Sequence, residues 1–249
     1  MTDQSPESTQ FYLTAPMPCP YLPGLEERKL FTHLSGRRAG MLHSVLSENG
    51  FRRSQNLIYR PACEGCSACR SVRIVADRFS HSARHRRNLK RNKDIVGKEI
   101  AAKATNEQYD LFKSYLHARH EDGGMTQMSF VDYEYMVEDT PVDSKIIEYR
   151  IVNADGSAGP LIGVALSDVM IEGLSMVYSF FDTELGSRGL GNFMILDHIQ
   201  RVRESGLKFV YLGYWVQNSP KMAYKASFQP LEVQSGVMGW QPLVPDSAP

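Results

Sequence analysis

Cysteine and tryptophan are scarce in this chain of 249 residues: it has four of the first and two of the second. Four thiols are too few for a disulfide scaffold, and a chain this long can bury a core without one. No apolar run approaches the roughly 18–20 residues that cross a bilayer, so no membrane-spanning segment is expected. The opening stretch, MTDQSPESTQ, has neither the basic nor the apolar region of a secretory signal, and a reducing cytoplasm is the expected setting. Net charge is zero, with 28 Lys+Arg against 28 Asp+Glu. No chain-wide field therefore attracts nucleic acid, and any such attraction has to come from a local patch. A GxxxxGK[ST] phosphate loop and a GxSxG nucleophile elbow are both missing, which argues against nucleotide-driven chemistry and against a serine nucleophile.

The few thiols are crowded together. YRPACEGCSACRSVRI (59–74) carries Cys63, Cys66 and Cys69 two residues apart, and Cys19 sits in FYLTAPMPCPYLPG, a loop kept extended by four prolines. In a reducing compartment such a set favours metal binding or plain structural roles over bridging. Four thiolates suit zinc or an iron–sulfur cluster; a reduced structural turn is the alternative, and the x2–x2 spacing strains three ligands on one zinc. NLIYR and RSVRIVADRF flank the cluster and are expected to pair as a hairpin. Next comes RHRRNLKRNK, which places Arg84, Arg86, Arg87, Lys90, Arg91 and Lys93 within ten residues. Cations so concentrated in a neutral protein suit a nucleic-acid backbone, although a charge run is often only a solvated face.

The remaining pattern is mixed. RRAGMLHSVLSENG is expected as a helix with Met41, Val45 and Leu46 on one face, and Tyr109, Phe112, Tyr115 and Leu116 mark a second helix. From residue 145, KIIEYRIV, LIGVALSDVM and LSMVYSFFD are three successive strand signals. GSRGLG then opens a helix on which Phe193, Leu196, Ile199 and Val202 share a face, with Gly206 as its stop. KFVYLGYWV is a further strand, NSPKMAYKASF a short helix capped by Ser219, and LEVQSGVMGWQPL a last strand or two. Expected are tails at 1–9 and 243–249, an N-terminal domain over 10–95 holding the cysteines and the basic patch, and a larger domain over 96–242. The class is α/β in the α+β sense, built on a mixed sheet.

A strand running into G-x-x-G-x-G and a helix lets the backbone approach a ligand and offers it unpaired N–H groups. With its neighbours, this segment resembles the core of the N-acetyltransferase (GNAT) fold. That fold's phosphate turn usually begins with Gln or Arg, whereas Gly186 stands here, which counts against coenzyme A as acyl donor. FYLTAPMPCPYLPG, YRPACEGCSAC, LKRNKD, MVYSFFD…LG, YLGYW and KMAYKASFQPLE, in this order, resemble the arginyl-tRNA–protein transferase family. The likeness is strongest to its short bacterial branch, the aspartate/glutamate leucyltransferases, and covers roughly residues 10–235. GSRGLG is a modest variant, since the family usually has Arg or Lys, with Ser, ahead of LG.

The resemblance implies a GNAT-like C-terminal domain and a smaller cysteine-containing N-terminal one. It implies transfer of leucine from leucyl-tRNA to the α-amine of proteins that begin with Asp or Glu, tagging them for degradation. Alternatives are arginyl transfer by the same chemistry, a coenzyme A-dependent N-acetyltransferase, and a non-catalytic tRNA-binding protein. The acyl group arrives activated, so the transfer needs no cofactor; eukaryotic relatives hold an iron–sulfur cluster on comparable cysteines, which keeps a cluster beside zinc at Cys19, Cys63, Cys66 and Cys69. The enzyme has to position two large substrates, stabilise an oxyanion and protonate the departing ribose oxygen. Tyr178, Asp182, Tyr214 and Tyr224 are the catalytic candidates around one crevice, with a capping role open for Asp182 and a half-buried strand role for Tyr178. Gly189, Leu190 and Gly191 are expected to offer N–H groups near the ester or the terminal ribose phosphate. Lys221 and Lys225, four apart on one helix face, are candidates for tRNA phosphate or the acceptor's acidic side chain, against ordinary solvated lysines. The basic run is the tRNA-binding candidate.

Overall fold

The computed structural model describes residues 9–119, 124–216, 219–220 and 222–243. In chain order the strands are β1 (Tyr12–Leu13), β2 (Met17–Pro18), β3 (Glu26–Glu27), β4 (Lys29–His33), β5 (Arg52–Ser54), β6 (Leu57–Pro61) and β7 (Cys69–Val75). They continue as β8 (Ile95–Ala101), β9 (Ser144–Val152), β10 (Ala158–Val169), β11 (Gly173–Phe181), β12 (Phe209–Val216), β13 (Leu231–Gln234) and β14 (Trp240–Pro242). The α-helices are α1 (Ala39–Glu48), α2 (Ala83–Arg91), α3 (Asn106–Arg119), α4 (Phe130–Glu138) and α5 (Leu190–Glu204).

An eight-stranded sheet in the order β14-β13-β7-β12-β11-β10-β9-β8 is antiparallel except where β11 meets β12. It is covered on both faces, which is why β10 is buried at eight successive positions, Leu161–Asp168, rather than alternately. Phe193, Leu196, Ile199 and Val202 of α5 pack with Ile147, Ile162 and Ala165 on one face. Phe112 and Leu116 of α3 and Tyr133 and Val137 of α4 pack with Ile146, Val164 and Phe180 on the other. The class is mixed α+β, and the three strands, turn, helix and strand read from residue 145 onward are all present.

The expected hairpin across the cysteines does not form. β6 joins a separate four-stranded sheet in the order β1-β4-β6-β5, whereas β7 lies between β12 and β13 in the large sheet. The burial of each strand explains the parting. β7 is buried at every residue from Ser71 to Val75 and needs cover on both faces, while β6 is fully buried only at Ile58. Because β7 is central to the large sheet, that sheet takes strands from both sides of the expected boundary at residue 95. A second correction concerns α1, on which Met41 and Val45 are 59% and 52% exposed. Its inward face carries Ala39, His43, Ser44, Leu46 and Ser47, because that face brings His43 Nε2 to 3.5 Å from Asp168 Oδ2.

Asp168, fully buried on β10, joins the two sheets. Arg53 of β5 donates to it twice, Nε to Oδ2 and Nη2 to Oδ1, both at 2.6 Å, and Ser144 Oγ donates to Oδ1 at 2.7 Å. A two-pronged guanidinium–carboxylate bond of this kind fixes orientation as well as distance.

Candidate functional site: a wedge between two parallel strands

β11 and β12 pair in parallel only from Gly173↔Phe209 to Ser175↔Tyr211. Beyond that point β11 keeps pairing with β10 and β12 with β7, so the two strands part and leave backbone groups unpaired along a wedge. One of these, Val177 O, accepts a hydrogen bond from Arg52 Nη2. Room for the guanidinium comes from Gly213, at φ +70°, just past an irregularity in β12: a Cβ there would lie 2.5 Å from Arg52 Nη1. The same irregularity exposes Leu212 O and Tyr214 O, which accept from Lys225 Nζ at 2.8 and 2.6 Å. Burial, reinforced by Arg52, lowers the Lys225 ammonium to about pH 7.

Tyr178 and Tyr224 lie near Arg52, and Tyr115 lies near both of these tyrosines. Tyr178 of β11 and Tyr115 of α3 are both held above the ordinary phenol value by burial, Tyr178 further by Tyr115 and then pulled back by Arg52. Tyr224, 42% exposed, is also raised by burial and pulled back by Arg52. Neutral phenols of this kind are proton donors at neutral pH. Tyr214 has a different place: it is 3% exposed, and its hydroxyl lies 2.8 Å from Tyr59 O and 3.2 Å from Gly50 O. It braces β12 against the small sheet, and Arg52 lies near it as well.

At the end of β11, Asp182 Oδ1 accepts from Glu184 N at 2.9 Å and caps a 3-10 turn over Thr183–Arg188, so capping is its observed role. Gly189 follows at φ +64°, a left-handed conformation that favours glycine, and starts α5. Leu190 is buried, Gly191 lies against the Phe181 ring and Gly189 against the Asn88 amide, so both glycines allow a neighbouring side chain to approach the backbone closely. The N–H groups of the first turn of α5 point beyond the helix. Phe181 also meets Tyr115 at a ring separation of 5.2 Å, which links this helix start to the tyrosine group.

The basic run forms α2. Ser82 and His85 close a capping box at its start, and the His85 ring stacks on Phe79 and Phe228 at 5.3 and 5.1 Å. Arg84, Arg86, Arg87, Lys90, Arg91 and Lys93 are all exposed, and none meets a carboxylate among the described residues. The inner face of α2 holds the glycine turn. Asn88 Nδ2 donates to Arg188 O and Gly189 O at 3.0 and 3.1 Å, Asn92 Nδ2 to Arg188 O at 3.0 Å, and Arg91 Nη1 to Ser187 O. Patch and turn are therefore one assembly, a connection that sequence spacing does not reveal.

The lysine expectation changes. The described part of the NSPKMAYKASF segment is a 3-10 turn over Ala223–Ser227, with Met222 rather than Ser219 before it. Lys221 lies outside the described residues. Lys225 is 4% exposed and turned into the fold, so it meets neither solvent nor a phosphate on the surface.

The four cysteines do come together, lining one cleft with Tyr21, Lys29, Tyr59 and Tyr214. All are free thiols, and the Cys69 thiol is pushed up to about 12 by burial and then by Cys19, Cys63 and Cys66. Among the described residues no group of three or more His, Cys, Asp or Glu side chains is arranged to hold a metal ion. The zinc or cluster expectation gains no support from this arrangement.

Parted parallel strands, a glycine-led helix start and buried phenols lie together beside a cationic helix. Comparisons with known proteins give the family. Residues 17–87 match the arginine-tRNA-protein transferase N-terminus family and residues 107–235 its C-terminus family. An aspartate/glutamate leucyltransferase of Sinorhizobium medicae is 56% identical over 97% of this chain and 95% of its own length. One of Azorhizobium caulinodans is 54% identical over 97% and 98%. Among solved structures FemX aligns with 78% of this chain and 64% of its own at 10% identity, with a TM-score of 0.46. The chain belongs to the arginine-tRNA-protein transferase family and is an aminoacyltransferase. Among the described residues no helix is long and apolar enough to cross a membrane.

Proposed function

We propose that this protein transfers leucine from leucyl-tRNA to the α-amino group of cytoplasmic proteins that begin with Asp or Glu. The observation that carries the reading is identity above one half, over nearly the full length of both chains, to relatives named for that activity. The donor ester is already activated, so the chemistry asked of the protein is modest. An α-amine with a pKa of about 7.7–8.0 has an appreciable neutral fraction at neutral pH. Its nitrogen attacks the ester carbonyl, the carbon–oxygen bond to the ribose breaks, and the proton lost by nitrogen balances the one gained by the ribose oxygen. The first-turn N–H groups of α5, around Leu190 and Gly191, suit the developing oxyanion. Tyr178 and Tyr224, kept as neutral phenols, suit delivery of a proton to the leaving oxygen. The exposed cations of α2 suit the tRNA backbone, and their bond to the glycine turn would set the charged end of the tRNA beside α5.

The test is incubation with labelled leucyl- or arginyl-tRNA and peptides beginning with Asp, Glu or Lys. Leucine on the Asp and Glu peptides alone is expected. Arginine transfer without leucine, or transfer to Lys peptides, would overturn the reading.

A further inference from the structure

Most of the buried or half-buried arginines here have an evident partner. Arg53 meets Asp168, Arg73 meets Glu48 and Glu232, Arg150 meets Glu107 and Glu148, and Arg201 meets Asp197. Arg52 is half-buried and has no carboxylate partner among the described residues; its one hydrogen bond there goes to Val177 O. That bond engages Nη2 and leaves the other guanidinium donors free among those residues. The backbone has been shaped around this cation, with β12 irregular and glycine at position 213, where any side chain would displace it. A half-buried guanidinium lacking a counter-ion is poorly solvated and favours a planar carboxylate that accepts two parallel N–H bonds.

The geometry points to Arg52 as the residue that reads the acceptor: its guanidinium takes the carboxylate of the acceptor's first residue inside the β11–β12 wedge, leaving the α-amine among Tyr178 and Tyr224. This rests on the function proposed above and assigns its specificity to one side chain. Position supports the assignment. Arg52 lies beside Tyr178 and Tyr224, both of which neighbour Tyr115, and Tyr115 touches Phe181 beside the start of α5, where the ester is expected. The carboxylate and the amine of one residue would thus be held on the acyl-donor side of the wedge. Phosphate is the weaker match, because the exposed cations of α2 already serve it and Arg52 enters from the small sheet.

Binding of peptides beginning with Asp or Asn, which differ in charge but hardly in shape, reads the assignment directly. Wild-type protein is expected to prefer the Asp peptide by roughly 10- to 100-fold, the range for a charge-assisted pair. Arg52→Gln should bind both peptides alike while keeping its affinity for leucyl-tRNA, and Arg52→Lys should restore part of the preference. Discrimination unchanged in Arg52→Gln would overturn the assignment. Modification of wild-type protein by phenylglyoxal, followed by mass spectrometry, needs no variant to fold. The Asp peptide should shield Arg52 and a Lys peptide should not; shielding by tRNA alone would give Arg52 to the donor and overturn the proposal. Wild-type protein that fails to leucylate the Asp peptide refutes the function itself. Transfer that proceeds with discrimination intact in Arg52→Gln refutes only the role of Arg52.

Discussion

Arg52 and Arg53 are sequence neighbours with opposite surroundings, because successive side chains of a strand point to opposite faces. Arg52 turns to the wedge, and Arg53 turns to Asp168 in an interior where both side chains are essentially inaccessible. Breaking such a pair from one side leaves a charge without water or partner, which costs about 3–5 kcal/mol. Arg53→Ala is therefore expected to lose that much in urea unfolding, a large part of the stability of an ordinary domain. Replacing both partners, Arg53→Met with Asp168→Leu, should lose distinctly less, since no charge is then stranded. Equal losses for the single and double variants would show that packing at the sheet junction, rather than charge, sets the cost.

α2 shows how one short element serves two ends. Its inner residues, His85, Asn88 and Asn92, fasten it to Phe228 and to the glycine turn, while its cations face outward. Arg91 does both, so a clean test of tRNA binding leaves it in place. Changing Arg84, Arg87, Lys90 and Lys93 to Ala should weaken tRNA binding and reduce the slope of log K against log salt by about 0.7–0.9 for each phosphate no longer neutralised. Peptide binding should stay near wild type; an unchanged salt slope would make the run a solvated face. The elements most legible in the sequence were those with an unbroken helical period, such as α5, or a continuous apolar run, such as β10 and β12. β6 and β7 were legible as strands but not as partners, because pairing depends on which faces the rest of the molecule covers. Within the site, the glycine turn and Tyr178 were visible as a motif beside a helix start. Arg52 was not, since nothing local marks an arginine whose role comes from a strand more than a hundred residues away.

Burial of titratable side chains across the molecule gives its stability a definite pH profile. His43, His85 and His198 are at most 4% exposed, and burial lowers the pKa of each below the ordinary histidine value. The unfolded chain then takes up these protons first, near pH 6.5, so stability is full above that pH and is lost as pH falls below it. Lys225, lowered to about 7, has the same sign over a higher window: its contribution falls as pH drops from about 10.4 to about 7. Cys69 is raised to about 12, and Tyr149 and Tyr214 are raised as well, so these groups lose stability as pH climbs past about 8.5 for the thiol and about 10 for the phenols. The outcome is a maximum on the mildly alkaline side of neutrality, with three histidines acting together on its acid side. Urea unfolding midpoints measured from pH 5 to pH 10 should fall clearly between pH 6.5 and pH 5. In Lys225→Met the rise between pH 7 and the maximum should flatten, alongside a pH-independent loss from leaving Leu212 O and Tyr214 O without their donor. A wild-type profile flat from pH 7 to pH 5 would mean that the buried histidines are protonated in the folded protein, and their proposed neutral state would be wrong.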